Sequence, residues 1–372
     1  MLKGKTVAVV VPAYNEETQI GMVIETMPDF VDRIVVVNDG SKDNTAKIVL
    51  EYVSSCKLKC LPIKKQVTNV NENIYNKADI VLQEVRESEE KYYPKHVIAN
   101  SFENNRIVLI NQENSGVGAA IATGYKLCRD YNIDCTAVMA GDGQMDPSEL
   151  LSIVSPVIED GIDYCKGNRL SHPAAKYIVP QIRYIGNNIL SLMTKVASGY
   201  WSVSDTQTGY TAISLSALKK IDLYNIYHTY GCPNDILVKL NIVNATLLEV
   251  PIKPVYNVGE KSKMKIFKVA PKIFSLLIRG FFKRLWRKYF LNSFHPLFIF
   301  YIFSIITTLM NIPVFIKIFI DVLVLGGTVT TGWYTTFLLL TLFSFQSMGF
   351  GMYMDMQDNQ KLEVFCNKTK HL

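Results

Sequence analysis

A polar loop in the middle of the chain, residues 138–147, carries the side chains best suited to chemistry. An apolar run over residues 136–140 ends in a Gly-Asp-Gly triplet centred on Asp142, and Gln144 and Asp146 follow at alternate positions. This pattern is typical of a buried strand that brings a carboxylate to the open end of a sheet. A carboxylate and an amide oxygen there suit a hard divalent cation, which prefers oxygen ligands and leaves room for phosphate. The alternative is an ordinary polar turn between a strand and a helix.

The composition predicts an ordered chain with one local basic surface. The chain has 372 residues, of which 49% are hydrophobic, and a formal charge of +6, which is enough for two or three structural units. Ten Lys or Arg and no Asp or Glu lie between Lys261 and Lys288, so this segment carries more than the whole net charge. Such local basicity favours a surface that faces an anionic partner over general nucleic-acid binding. The scattered cysteines and isolated histidines give no disulfide or zinc spacing and fit a reducing compartment.

Strand-loop-helix units are expected to position the polar loops. Strands are predicted at residues 6–11, 33–37, 106–110, 136–140, 163–166 and 247–250, and helices at 18–27, 44–53, 77–91, 114–128, 180–196 and 235–242. Apolar strands with polar loops at their carboxyl ends predict a doubly wound α/β sheet with its ligand crevice at that edge. Asp39, at the end of the second strand, is placed to accept hydrogen bonds from a base or ribose. The alternative is a turn formed with Asn38 and Gly40.

The connection between the second and third strands is unusually long. Residues 54–105 form a polar excursion with a charged helix, which we expect to be an insertion on the surface. The carboxylates expected on its solvated face are Glu84, Glu87, Glu89 and Glu90.

A glycine pair after the third strand suggests a second type of ligand site. Gly116-x-Gly118 matches half of a dinucleotide-binding fingerprint, although Ile121 takes the place of the third glycine. The helix that begins there could direct its N-terminus at a phosphate.

The C-terminal part of the sequence predicts a membrane anchor. Residues 296–316 and 333–354 are apolar runs of 21 and 22 residues, each long enough to cross about 30 Å of hydrocarbon. Before them, residues 265–291 interleave aromatic and aliphatic side chains with Lys and Arg, which predicts amphipathic helices lying on anionic headgroups. The positive-inside tendency places the sheet domain and the tail from Asp355 in the cytoplasm. A pair of buried core helices is the alternative.

Taken together, these segments resemble glycosyltransferase family 2, and within it the dolichol-phosphate mannose synthase-like, polyprenyl-phosphate glycosyltransferase branch. The matching pieces in chain order are VVPAYNEE, VVVNDGSKDNT, NSGVGAAIATGY, MAGDGQMDP, GNR, SDTQTGY and GEKSK. The resemblance implies a GT-A-like (Rossmann-like) catalytic domain over residues 1–260 with the insertion at about 54–105. It further implies basic juxtamembrane helices at 261–293, two transmembrane helices within 294–354 and a cytoplasmic tail at 355–372.

The resemblance also implies the reaction. A family 2 enzyme of this branch moves a sugar from a UDP- or GDP-linked donor to dolichyl or undecaprenyl phosphate, with inversion at the anomeric carbon and with Mg²⁺ or Mn²⁺ as cofactor. The enzyme would be an integral membrane protein with its catalytic domain and both termini in the cytoplasm, compatible with a homo-oligomer and without a nucleic-acid partner.

Individual residues receive roles from the same resemblance. The positions that match contacts to the donor nucleotide or its diphosphate are Pro12, Tyr14, Glu16, Asp39, Asp142, Gln144, Arg169 and Lys263. Asp142 and Gln144 also match metal ligands, and Arg169 and Arg183 match arginines that meet the acceptor phosphate. Asp205 matches an acidic position near the acceptor, where it would orient the acceptor or the sugar, and is with Asp142 a candidate catalytic residue.

The chain departs from the family pattern, and three other functions stay open. Ala140 stands where members often have the first residue of Asp-x-Asp, and Asn38 replaces another frequent Asp. The alternatives are a family 2 enzyme with a glycan acceptor, a dinucleotide-dependent oxidoreductase built on Gly116-x-Gly118, and a non-catalytic nucleotide-binding membrane adaptor. A processive polysaccharide synthase is disfavoured, because the sequence has neither further spans nor a Gln-x-x-Arg-Trp motif.

Overall fold

The structure, a computed structural model, describes residues 1–56, 61–65, 75–178, 181–255, 266–324 and 326–365. The strands within these residues are β1 (Val7–Ala13), β2 (Arg33–Asp39), β3 (His96–Ile98), β4 (Ile107–Gln112), β5 (Cys135–Val138), β6 (Tyr164–Asn168), β7 (Thr211–Ser214), β8 (Leu247–Pro251) and β9 (Glu363–Val364). The α-helices are α1 (Ile20–Glu25), α2 (Thr45–Ser55), α3 (Lys77–Glu89), α4 (Val117–Asp130), α5 (Leu150–Glu159), α6 (Ala175–Ile178), α7 (Gln181–Ser198), α8 (Leu215–Lys220), α9 (Cys232–Ile242), α10 (Ile266–Trp286), α11 (Pro296–Phe319) and α12 (Thr331–Asn359). Two π-helical turns, Arg287–Asn292 and Ile320–Val324, continue α10 and α11.

The strands form a mixed sheet whose order, in the described residues, is β3-β4-β2-β1-β5-β7-β6-β8-β9. Strands β4, β2, β1 and β5 are parallel, β7 is antiparallel to both of its neighbours, and β6, β8 and β9 share the direction of the first group. One row of register partners crosses five strands, from Val10 through Val138, Thr211 and Lys166 to Glu249. The carboxyl ends of β1, β2, β5, β6 and β8 therefore share one edge with the beginning of β7. The predicted α/β sheet is confirmed, and its polar loops share this edge.

Both faces of the sheet are covered, which explains the continuous apolar runs of its strands. Every residue of β1 and β2 is buried. Ala8 and Val10 pack on one face with α4 residues such as Tyr125, while Val9 packs on the other face with Ile20 of α1 and its neighbours. Successive side chains of a strand point to opposite faces, so a strand that is covered on both sides must be apolar at every position.

The predicted insertion also contributes to the sheet. Strand β3 pairs antiparallel with β4 at the sheet edge, and its three residues are too few to show a period in the sequence. Glu89 on α3 differs from the predicted solvated face, because it is largely buried and pairs with Arg129 at 3.3 Å. The guanidinium of Arg129 is itself only 5% exposed and therefore needs a counter-charge.

The helices after the sheet domain pack on each other and on α7 and α9. Ile273 and Leu277 of α10 contact Ala197 and Val238, which belong to α7 and α9. Helices α11 and α12 lie side by side.

The stretches Pro296–Val324 and Thr331–Leu362 are long and apolar enough to cross a membrane, judged by length and composition. Large side chains along them, such as Leu309, Leu338 and Phe345, are exposed in the isolated chain. Exposed apolar surface of this extent is not the pattern of a core helix. It favours the predicted spans over the alternative of two buried helices.

The last described residues return to the sheet. Strand β9 runs parallel to β8, and the Glu363 carboxylate accepts a hydrogen bond from the backbone N–H of Ser202 at 2.9 Å. Asp355 and Asn359, on the last turns of α12, are fully buried. The described part of the predicted tail is thus packed into the sheet domain. The predicted boundary at residue 260 lies outside the described residues, so the division into domains stays a prediction.

Candidate active site

The predicted metal-binding loop leaves the sheet at the end of β5, beside the end of β1. The backbone N–H of Gly141 donates to the carbonyl of Pro12 at 3.1 Å, which continues the β1–β5 pairing into the loop. Gly143 adopts a left-handed φ of +73°, and the backbone N–H of Gln144 donates to Oδ1 of Asp142 at 3.1 Å. Asp142 and Gln144 are both half-buried. The turn thus brings Asp142 and Gln144 to the carboxyl end of β5. Carboxylate and amide oxygens are ligands that Mg²⁺ and Mn²⁺ accept, but the described residues contain no group of three or more His, Cys, Asp or Glu that could hold a metal ion.

The loop after β1 is fixed against the loop after β2. Asn15 has a left-handed φ of +54°, its backbone N–H donates to Oγ of Ser41 at 3.0 Å, and its Oδ1 accepts from the N–H of Lys42 at 2.8 Å. These bonds hold the half-buried side chains of Tyr14 and Glu16 at the mouth of the crevice. The predicted nucleotide contacts Pro12, Tyr14 and Glu16 therefore lie along one edge with Asp142.

Asp39 has protein partners at the end of β2. It is 4% exposed, and its carboxylate accepts hydrogen bonds from Gln112 Nε2 at 2.7 Å, Ser115 N at 2.9 Å and Gly116 N at 2.8 Å. A carboxylate has about four acceptor positions, so these bonds use most of its capacity. Asp39 orders the loop before α4, and its predicted contact to a base or ribose is not tested by this geometry.

The glycine pair has a packing role. A Cβ on Gly116 would lie 2.5 Å from the carbonyl oxygen of His228, and one on Gly118 would lie 2.0 Å from that of Tyr227. The N–H of Gly116 is bound by Asp39, and the N–H of Gly118 donates to the His228 carbonyl at 2.7 Å. The N–H groups of both glycines are thus already paired within the protein. The suggested phosphate site at this helix N-terminus is therefore not supported.

Arg169 and Asp205 form an ion pair at the end of β6. Nε and Nη2 of Arg169 donate to Oδ2 and Oδ1 of Asp205 at 2.8 and 3.0 Å, and the backbone N–H of Arg169 donates to Oδ2 at 3.1 Å. The Asp205 side chain is fully buried, whereas Arg169 is 23% exposed. Burial alone would raise the pKa of Asp205, but the Arg169 guanidinium and Lys166 outweigh it and hold this pKa below its ordinary value. The carboxylate is therefore ionised and fixes a partly exposed guanidinium at the crevice edge.

Two further charged residues, the half-buried Glu249 and the fully buried Lys166, support this pair and were missed by the sequence analysis. Glu249 on β8 accepts from the N–H groups of Ser204 at 3.0 Å and Asp205 at 3.2 Å, and burial raises its pKa. Lys166 on β6 is fully buried and donates from Nζ to the Thr208 carbonyl. Burial lowers the pKa of Lys166 to about 8. Each is a charged residue inside an otherwise apolar strand, and that was the signal in the sequence.

The segment after β8 is tied to the metal-binding loop. The backbone N–H of Lys253 donates to Oε1 of Glu149 at 2.9 Å, and its Nζ lies 3.4 Å from Oδ2 of Asp146. The Tyr210 hydroxyl donates to the Asp146 carbonyl at 2.9 Å, which joins the beginning of β7 to the same loop.

The sheet brings most of the predicted site residues to one edge. Strands β5 and β6 are separated only by β7, and two strand spacings of about 4.8 Å put their carboxyl ends roughly 10 Å apart. Asp142 and Arg169 follow those ends. Arg183 falls in the first turn of α7, where the structure does not describe side chains, and Lys263 lies outside the described residues.

Comparison with known proteins identifies the family. The profile described as "Glycosyl transferase family 2" matches residues 8–74 and 91–222, more than half of the chain. The chain belongs to glycosyltransferase family 2. The predicted family and enzyme class are thereby confirmed. The interval 75–90, which contains α3, lies between the two matched ranges.

Relatives of this glycosyltransferase carry names from the predicted branch. A UDP-N-acetylglucosamine–dolichyl-phosphate N-acetylglucosaminyltransferase of Methanococcus voltae is 29% identical over 276 residues, which are 74% of this chain and 95% of that protein. A dolichyl-phosphate beta-glucosyltransferase of Trichomonas vaginalis is 27% identical over 275 residues, 70% of this chain and 68% of that protein. A crystal structure of glucosyl-3-phosphoglycerate synthase from Mycobacterium tuberculosis with Mn²⁺, UDP and glucosyl-3-phosphoglycerate superposes with a TM-score of 0.46 at 16% identity, covering 76% of this chain and 80% of that chain.

Proposed function

We propose that this glycosyltransferase moves a sugar from a nucleotide-sugar donor to polyprenyl phosphate, with inversion at the anomeric carbon. The observation that carries the proposal is the Arg169–Asp205 pair, a guanidinium held by a buried carboxylate after β6, the second strand from the one that leads to Asp142. In the proposed reaction this guanidinium would bind the acceptor phosphate. The dolichyl-phosphate transferases among the relatives support the same acceptor class.

The donor side of the crevice would hold a nucleoside diphosphate. Asp142 and Gln144 would bind Mg²⁺ or Mn²⁺ together with the diphosphate, and the metal would supply positive charge against the charge that develops on the leaving group. Tyr14 and Glu16 lie on the fixed loop after β1 and would line the nucleotide side, with Asp39 ordering the wall behind them. The nucleoside of the donor is uridine or guanosine in this proposal. The UDP-linked donor in the name of one relative favours uridine.

The acceptor needs orientation more than activation. A phosphate monoester carries a charge of about −1.5 to −2 at pH 7, so its oxygen attacks the anomeric carbon without giving up a proton. The bond from that carbon to the diphosphate oxygen breaks, and its electron pair leaves with the nucleoside diphosphate. Arg169 offers a planar fork that matches phosphate oxygens, and we assign Arg183 on α7 the same role. Asp205 is ionised and paired, so it holds Arg169 in position and is not a proton donor.

The membrane side of the proposal rests on α7 and α10, which pack against each other. Ile189 and Leu192 on α7 and Phe274 and Ile278 on α10 are exposed apolar side chains. Basic residues flank those of α10, as expected for a helix in the headgroup region. With α11 and α12 as spans, this layer would put the phosphate of a membrane lipid beside α7, with the catalytic domain and both termini in the cytoplasm.

The test is transfer of radiolabelled sugar from a panel of UDP- and GDP-sugars to short-chain polyprenyl phosphate in detergent with Mg²⁺ or Mn²⁺. We expect an organic-extractable product that is lost with a chelator and in Asp142→Ala, and retained in Asp29→Ala. Asp29 is an exposed carboxylate in the connection between α1 and β2, away from the crevice edge. Label that appears only in a soluble glycan, or no difference between the two variants, would overturn the proposal.

A further inference from the structure

A buried polar cluster joins the end of the second apolar helix to the helix that carries Arg183. Its members come from the end of α10 and the π-helical turn after it, from the last turns of α12, and from α9; they are Arg284, Lys288, Tyr289, Asp355, Asn359 and Asn241. Arg284 and Asp355 are 1% and 0% exposed.

Arg284 is bound from two sides. Nη1 and Nη2 donate to Oδ1 and Oδ2 of Asp355 at 2.7 and 2.8 Å. Nε and Nη2 also donate to the carbonyls of Ala197 and Val196, both at 3.0 Å. These carbonyls belong to the last turn of α7, where a helix has no N–H donors of its own for its carbonyl oxygens. One guanidinium therefore bridges the C-terminus of α7 and the cytoplasmic end of α12.

The remaining members fix this bridge in one geometry. Nδ2 of Asn359 donates to Oδ1 of Asp355 at 2.8 Å, and Tyr289 Oη donates to the same oxygen at 3.0 Å. Lys288 Nζ donates to Oδ1 of Asn359 at 2.7 Å and to Oδ1 of Asn241 at 3.0 Å. A buried network that is satisfied in this way resists rearrangement, because each alternative leaves a polar group unpaired.

Helix α7 is separately held by the sheet domain. Ser191 Oγ donates to the carbonyl of Ser204 at 2.6 Å, next to Asp205, and Thr194 Oγ1 donates to Oδ1 of Asn234 at 3.1 Å. The position of α7 relative to the crevice thus does not depend on Arg284. Arg284 links α7 to the apolar hairpin formed by α11 and α12, next to the bond between Asn241 of α9 and Asn359.

We propose that Arg284 and Asp355 are positioning residues that set the orientation of the apolar hairpin relative to α7. In this orientation a lipid phosphate in the bilayer arrives at the Arg183 end of α7. This inference rests on the proposed lipid-phosphate function. Arg183 precedes Ala197 by 14 residues, about 21 Å along a helix. A tilt of about 5° between hairpin and α7 displaces that end by about 2 Å relative to the membrane, and misplacements of this size cost roughly 100-fold in rate.

The first test removes both charges together. Arg284→Met with Asp355→Leu removes both members of the ion pair, a type of replacement that proteins often tolerate, and the buried Lys288 keeps Asp358 at 3.9 Å. The bonds to the α7 carbonyls are lost in this variant. We expect kcat/KM for long-chain polyprenyl phosphate in proteoliposomes to fall about 10- to 100-fold, mainly through KM. Transfer to short-chain acceptor in detergent and UDP affinity should stay within about twofold, because the crevice is untouched.

The second test uses two glycines with similar backbone conformations. Gly199 and Gly161 have φ of +79° and +69°, but a Cβ on Gly199 would lie 2.4 Å from Nη1 of Arg284, whereas one on Gly161 meets nothing within 4 Å. Both Gly→Ala variants bear the same kind of backbone strain. Only Gly199→Ala should lower long-chain transfer relative to short-chain transfer, and Gly161→Ala should leave this ratio unchanged.

The outcomes separate the two proposals. If the unaltered protein labels neither acceptor, the proposed function fails. If it labels both, and the double variant or Gly199→Ala lowers both transfers equally or leaves their ratio unchanged, the positioning role of Arg284 and Asp355 is overturned while the proposed function stands. A fall confined to the bilayer acceptor supports the positioning role.

Discussion

The Arg169–Asp205 pair gives the most direct prediction, for the variant Asp205→Asn. The amide keeps one oxygen that can accept from the guanidinium but turns an N–H₂ group toward the second N–H, so one of the two side-chain bonds of 2.8 and 3.0 Å is lost. The side-chain volume hardly changes. The variant therefore perturbs the position and charge environment of Arg169 and leaves the rest of the loop in place.

The expected cost follows from burial. Breaking a fully buried ion pair by removing one charge costs about 3–5 kcal/mol, but Arg169 is 23% exposed, so water compensates part of this. A charge-assisted hydrogen bond contributes about 1.5–3 kcal/mol. We take about 2–3 kcal/mol for the loss of a correctly placed guanidinium, which corresponds to roughly 30- to 150-fold in kcat/KM for the lipid phosphate.

The assay measures kcat and KM for polyprenyl phosphate and, separately, the affinity for UDP. Asp130→Asn is the matched control, since Asp130 pairs with Lys126 and Arg129 at 3.1 and 3.2 Å at the far end of α4, away from the crevice edge. Asp130→Asn should lower the melting temperature but leave sugar transfer by the folded protein unchanged. Near-normal transfer in folded Asp205→Asn, or an equal loss of UDP binding, would refute the assignment of Arg169 to the acceptor.

Three further predictions concern the metal-binding loop, a buried amine and a glycine. Asp142→Ala should lose at least about 100-fold in kcat, since a catalytic metal contributes several kcal/mol, and added Mn²⁺ should not restore it at the wild-type concentration; full turnover would exclude Asp142 as a ligand. Burial lowers the pKa of Lys166 in the folded protein to about 8 from 10.5. Between these two pH values the unfolded chain binds the proton more tightly than the folded protein does. The free energy of unfolding should therefore rise by up to about 3 kcal/mol from pH 8 to pH 10.5. Melting curves of Lys166→Met should lack this rise, and an unchanged pH profile would contradict it. Gly118→Ala places a Cβ 2.0 Å from the Tyr227 carbonyl oxygen and should destabilise the fold by about 3 kcal/mol or more, measured from the denaturant midpoint. The control is Gly186→Ala, which has open space at its Cβ and should be neutral or slightly stabilising.

The local sequence pattern was sufficient to predict a strand where the segment itself is apolar enough to require burial. The segments that form β1 and β2 are apolar at nearly every position. The loops after them were correctly predicted at one edge of the sheet, because the carboxyl ends of parallel strands lie at the same edge. Strand β7 was not predicted as a strand. Strands β3 and β9 were not predicted either. They have three and two residues, and such short segments become strands only through the neighbour that they pair with.

The sequence by itself determined the family, the order of the strand-loop-helix units, the polar loop at Asp142 after β5 and the two apolar helices. Each of these depends on residues that are close together in the chain. The tertiary structure alone decided the partners of the charged groups. Asp205 meets Arg169 across 36 residues and Arg284 meets Asp355 across 71, and Asp39, which looked available for a ligand, binds the loop before α4. Such pairs depend on strand register and helix packing, and a buried charge becomes favourable only when the completed fold supplies its partner.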